Sequence, residues 1–279
     1  MRILVLFCTA AAAAMAQPDV HDIMSRVAIN QAKSQELREE YIYHQSQLLR
    51  MIRGSGRLAR EEKREYAITP EVHSIKRELS KFEGKYESHG QYFGYDRPGY
   101  EYKGIDIDGQ LLDDMSRDML ADRKSRDGVA RDLFPLTYHE QLKYNFKLVR
   151  TETYRGRQAY RVAFEPIPHL HCPDHEPIWK GEALIDAEEY QPILVTTKMA
   201  LKIPLVVRTV LGTNIRGLGF SVTYQKFEDG VWFPVSYGGE FEVRALFLYK
   251  RTITVSAVNS DFRRTNVASS ITYATGREN

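Results

Sequence analysis

Five side chains able to bind a metal or act as nucleophiles fall within seven residues: His169, His171, Cys172, Asp174 and His175, in the run HLHCPDH. Imidazole, thiolate and carboxylate are all ligands for zinc or copper. In an extended loop His169 and His171 converge, and Cys172 or His175 joins them if the chain folds back at Pro173. The candidate metal set is therefore His169, His171, Cys172 and His175. No paired-cysteine spacing accompanies it, so a polar surface loop explains the same residues and no cofactor is expected. A reactive thiolate at Cys172 beside the histidines is a second chemistry for the same run. The chain lacks GxSxG, HExxH, GxxxxGK[ST] and GxGxxG. Asp106 and Asp108, in GIDID, form a carboxylate pair, but they precede a helical pattern where acids cap free amides. Glu240 and Glu242 share the polar side of one strand, which a solvated face explains without catalysis.

A second group is aromatic. Residues 84–104, GKYESHGQYFGYDRPGYEYKG, intersperse tyrosine with Gly, Asp and Pro. Turn residues predict a long loop or mobile flap here. Tyrosine packs its ring while its hydroxyl stays wet, which suits a cavity mouth or a sugar or aromatic ligand. Tyr92 and Tyr95 are the candidates from this stretch.

The elements that must position these groups are mainly strands. After the hairpin signal Asp229-Gly230, apolar residues hold odd positions from Val231 through Phe233, Val235, Tyr237, Phe241, Val243, Phe247 and Ile253 to Ala257. This period of two predicts one oily and one wetter face. Val222, Phe233, Val243, Phe247 and Ile253 are thereby candidate ligand-lining residues. Upstream, 19–36 reads as an amphipathic helix with Val20, Ile23, Met24, Val27 and Ala28 on one stripe. A second helical pattern spans 109–133, interrupted at Gly128. The charged segments 57–68 and 72–83 fit helix and strand almost equally. Thr69-Pro70 favours a strand for the first, its charges marking a solvated face.

The 279 residues form one domain, with no internal repeat and no linker. Arg2, the apolar run Ile3 to Ala14 and the small-x-small Ala14-Met15-Ala16 predict a signal peptide over 1–16, leaving Cys172 as the one cysteine of a mature chain at 17–279. Stability would then come from packing rather than a disulfide. Thirty-nine basic residues against 37 acidic ones give no overall attraction to nucleic acid. The expected protein is periplasmic or otherwise exported and soluble after cleavage, with peripheral or no membrane contact.

Three segments carry a family resemblance: AYRVAFEP, then WKGEALIDAEEYQPI, then the long strands from Phe220 onward. Trp179-Lys180-Gly181 begins a strand, Ile185-Asp186 ends it, and Tyr190-Gln191-Pro192-Ile193 starts the next. This resembles the periplasmic lipoprotein carrier and outer-membrane lipoprotein-sorting superfamily, in its uncharacterised bacterial branch. The resemblance implies an α+β, mainly β, fold: a strongly curved antiparallel sheet forming an unclosed half-barrel, covered by two or three helices. It also implies an apolar concave surface that takes acyl chains. The expected function is thus a non-enzymatic carrier for a lipid, acylated or other apolar ligand. A metal-dependent or thiol enzyme at His169–His175 is the first alternative. An envelope structural protein, engaging a protein partner, is the second.

Overall fold

Asp19 starts the first helix. Its side chain accepts the His21 amide at 3.2 Å, satisfying one of the amides that a helix N-terminus leaves unpaired. Helix α1 (Val20–Arg38) then buries Ile23, Met24, Val27 and Ala28, the stripe expected from spacing. The computed structural model describes residues 18–71, 75–102, 106–120, 135–168, 179–199, 214–216, 219–227, 229–245 and 249–265. Among them no helix is long and apolar enough to cross a membrane.

Four strands follow α1: β1 (Tyr41–Arg53), β2 (Leu58–Pro70), β3 (Ile75–Ser88) and β4 (Gln91–Tyr95). Helices α2 (Ile107–Leu120) and α3 (Tyr138–Gln141) separate them from β5 (Tyr144–Tyr154), β6 (Arg157–Pro166), β7 (Trp179–Asp186) and β8 (Pro192–Met199). The last group is β9 (Asn214–Arg216), β10 (Ser221–Lys226), β11 (Trp232–Ala245) and β12 (Tyr249–Arg264). All twelve join one antiparallel sheet in the order β4-β3-β2-β1-β12-β11-β10-β8-β7-β6-β5, with β9 also on β11. The first and last strands of this path are β4 and β5, which do not pair, so the barrel stays unclosed. The α+β half-barrel expected from sequence is the observed fold.

The inner face is the one that carries α1 and α2. A single apolar cluster there joins Ile23, Met24 and Val27 of α1 and Leu112 of α2 to side chains from β1, β5 to β8 and β10 to β12. Gly181, from the Trp179-Lys180-Gly181 segment, has a packing reason: a Cβ there would collide with the Thr196 carbonyl of the adjacent strand.

Three sequence expectations need correction. Residues 84–95 are not a flap. They end β3 and form β4, joined by His89 and Gly90 at φ 50° and 83°. Two consecutive left-handed residues make a tight hairpin, and His-Gly lacks the Asn-Gly or Asp-Gly signature that would announce it. Second, the alternation through β11 is not continuous. The register shifts at Val235, between the pairs Thr223↔Ser236 and Tyr224↔Pro234. An inserted residue reverses which parity faces inward. Trp232 accordingly joins the main core, while Phe233 packs with Tyr41, Val231, Phe227 and Phe262 in a separate cluster. Third, the charges of 57–68 are not all solvated, as the next section describes.

Candidate binding site

The inner face changes character along its width. Across β6 to β8 and β10 to β12 it is apolar: Val222, Val243 and Ile253 are each at most 1 % exposed and belong to the main cluster. Toward β1, β2 and the start of β12 it becomes charged. Met51 of β1 stands on the boundary, paired with Ile253 on one side and Arg60 on the other.

Beyond that boundary the even residues of β2 turn inward. Arg60 and Glu62 are each 1 % exposed, and Arg64 is also buried. Arg60 donates to Asp106, to the Tyr100 carbonyl at 2.6 Å, to the Tyr95 hydroxyl at 2.6 Å and to Glu62 at 3.2 Å. Arg64 donates to Glu62 at 3.0 Å through Nε and to Asp113 of α2 at 3.2 Å. On β12, Arg251 grips Asp108 with Nε at 3.0 Å and Nη2 at 3.1 Å, and the Tyr249 hydroxyl donates to the same carboxylate at 2.6 Å. Ser116 completes the seam, donating to Gln47 of β1 at 2.9 Å. Asp106 is also a helix cap: its carboxylate accepts the Gly109 amide at 2.9 Å. The capping role expected for GIDID is present, and the same residues also hold the helix to the sheet.

Burial alone would lower the pKa of Arg60 and Arg64. Tyr95, Asp106 and Glu62 around the first, and Glu62 beside the second, outweigh it and hold both above the ordinary value. Burial raises the Tyr95 and Tyr249 phenols far above theirs, with Glu62 and Asp108 respectively adding to the shift. Both tyrosines therefore stay protonated and act as donors to carboxylates.

Tyr95 links this cluster to an aromatic one. Its ring lies against Gly84, where a Cβ would overlap it, and the Arg60 guanidinium sits 4.6 Å from its centroid. Tyr100 stacks on it at 4.9 Å, and Tyr86 meets Tyr102 at 4.5 Å. An open hollow of about 650 Å³ borders this group, lined by Phe82, Gly84, Tyr95, Tyr100, Asp96 and Arg97 among others. Tyr92 is elsewhere. It pairs with Glu87, whereas Tyr95 pairs with Gly84, so the two tyrosines project from opposite faces and Tyr92 is exposed.

The lining candidates thus divide. Val222, Val243 and Ile253 come together, Phe233 and Tyr92 stand apart from them, and Tyr95 joins the charged end. Phe247 and the metal candidates His169, His171, Cys172 and His175 lie outside the described residues. Among the described residues no three His, Cys, Asp or Glu side chains are grouped as metal ligands. Sequence reasoning missed Arg60, Arg64, Arg251 and Asp113. The available signal was the period-two run Arg60, Glu62, Arg64, which marks one face of a strand but not what covers it.

No family model and no curated protein matches this sequence. Among solved structures, the chain is similar to a putative outer membrane lipoprotein-sorting protein domain from Vibrio parahaemolyticus, at 11% identity and a TM-score of 0.34, over 90% of this chain and 95% of that one. It is also similar to a DUF1329 family protein from Desulfovibrio piger, at 9% identity and a TM-score of 0.35, over 91% and 96%. A LolA superfamily protein from Nitrosomonas europaea matches at 8% identity and a TM-score of 0.33, over 90% and 96%. The superfamily that the sequence segments resemble is thus among the structural matches, which assign neither a ligand nor a residue role to this chain.

Proposed function

We propose that this chain is an exported, non-enzymatic binding protein that carries a lipid or other apolar ligand between the inner face of its sheet and the helices packed there. The observation that carries the reading is the continuity of the apolar inner face. Val222, Val243 and Ile253 belong to one cluster that runs from β5 through β12 to β1, on a sheet whose two ends do not meet. A sheet whose two ends do not meet can open at that gap and admit a chain. Each methylene transferred from water to that face contributes about 0.8 kcal/mol, which must offset the packing of the helix side chains that a ligand displaces there. Entry requires a helix to move. We take α2 as that helix, because among the described residues Asp106, Asp108, Asp113 and Ser116 tie it to β1, β2 and β12 by ion pairs and hydrogen bonds that a polar ligand group can replace.

Native mass spectrometry of protein purified without detergent tests this. Co-purifying lipid, released on denaturation, is the expected result. A ligand-free protein that also takes up no lipid from vesicles would refute the carrier reading.

A further inference from the structure

We propose that Arg60, Arg64 and Arg251 form a subsite for the anionic headgroup of an amphiphile, and that Asp106, Asp108 and Asp113 occupy it in the present state. The inference rests on the carrier reading and adds the sign and place of the ligand's charge.

The pairing on the two sides of the seam is one-sided. The sheet supplies the cations: Arg60 and Arg64 from β2, Arg251 from β12. The α2 segment supplies the anions: Asp106 to Arg60, Asp113 to Arg64 and Asp108 to Arg251. Glu62 is the one carboxylate of this group that the sheet itself contributes. If α2 lifts, its three carboxylates leave together, and of the carboxylates named here only Glu62 remains, beside Arg60 and Arg64. An uncompensated buried charge is costly, so α2 departs readily only when another anion takes its place. A phosphate or carboxylate meets the requirement, because guanidinium groups bind such oxygens in bidentate fashion.

Position argues for an amphiphile rather than a free anion. Arg251 lies two residues from Ile253 on the same side of β12, and Met51 joins Ile253 to Arg60 across β1. The charged patch is therefore the end of the apolar face, and a headgroup held there directs its chains along Ile253, Val243 and Val222. Among the described side chains of α2, Leu112 is fully buried and Leu111 packs against the cluster.

The test compares the chain after incubation with vesicles of dioleoyl phosphatidylglycerol or with dispersions of dioleoylglycerol, which has the same acyl chains but no phosphate, counting bound lipid by native mass spectrometry. The expected preference for phosphatidylglycerol is roughly tenfold, the scale of one charge-assisted contact. Arg64→Gln with Arg251→Gln should abolish that preference, read as the ratio of the two lipids bound by the same variant. Asp108→Asn with Asp113→Asn, which keeps the arginines, should increase phosphatidylglycerol loading severalfold, and it decides the matter if the arginine variant does not fold. Equal uptake of both lipids, or no response to the aspartate variant, would overturn the headgroup subsite and leave the carrier reading standing. Uptake of neither would overturn both. Inorganic phosphate in large excess should displace little bound phosphatidylglycerol; displacement of most of it would identify a free-anion site and overturn the amphiphile assignment.

Discussion

Arg60 is surrounded by four acceptors: Glu62, Asp106, the Tyr95 hydroxyl and the Tyr100 carbonyl. Its removal would leave Glu62 and Asp106 buried without their shared cation, since Glu62 would retain Arg64 but Asp106 would keep only backbone amides. Arg60→Met is therefore expected to destabilise the fold by about 3–5 kcal/mol, measured by urea unfolding. A loss below about 1 kcal/mol, the scale of a surface pair, would show that the cluster is solvated. The sequence displayed the charges of this strand but not their surroundings. Arg60, Glu62 and Arg64 alternate as they would on a wet face, and what buries them arrives from residues 95 to 113. Partners that far along the chain leave no mark on local periodicity. By contrast, the α1 stripe of Ile23, Met24, Val27 and Ala28 was legible because its spacing is set within one helix.

Strands β10 and β11 show the same division at the next scale. Their hairpin could be read from Asp229-Gly230, and Gly230 has the left-handed φ of 85° that such a turn needs. The shift at Val235 could not be read, since an inserted residue in a run of alternating apolar positions changes no residue type. On the outer face, β2 is tied to its neighbours through Glu61, which accepts Arg50 at 2.7 Å and Lys85 at 2.9 Å. Burial would raise the Glu61 pKa, but the hydrogen bonds and charges of Lys85 and Arg50 outweigh it and hold it below the ordinary value. A carboxyl depressed on folding contributes stability that is present above its unfolded pKa and is lost as pH falls through the folded one. Stability should thus decline below about pH 4, near and under the unperturbed glutamate value. In Glu61→Gln part of that decline should disappear, as seen by comparing urea midpoints at pH 3 and pH 7. Identical pH profiles for the two proteins would mean that Glu61 is not linked to folding.

An unclosed sheet leaves two edges exposed to pairing with another chain. Here β4 is only five residues long, and β5 carries a register shift at Val149 together with exposed Lys147 and Arg150. Short edges, bulges and charges are the devices that discourage edge-to-edge association. Lys147→Val with Arg150→Val should therefore produce concentration-dependent self-association in sedimentation velocity, while the parent chain's sedimentation stays independent of concentration. If the variant sediments as the parent does, the bulge alone guards that edge.

The central seam of the sheet has a consequence for how the polypeptide matures. Strand β1 meets β12 there, and Glu40 holds Arg264 from 224 positions away. Everything between must be delivered before the middle of the molecule can be sewn shut, and such distant pairings form slowly. Until its last strand emerges, the newly made chain has one edge of β1 unpaired, with β2 on the other.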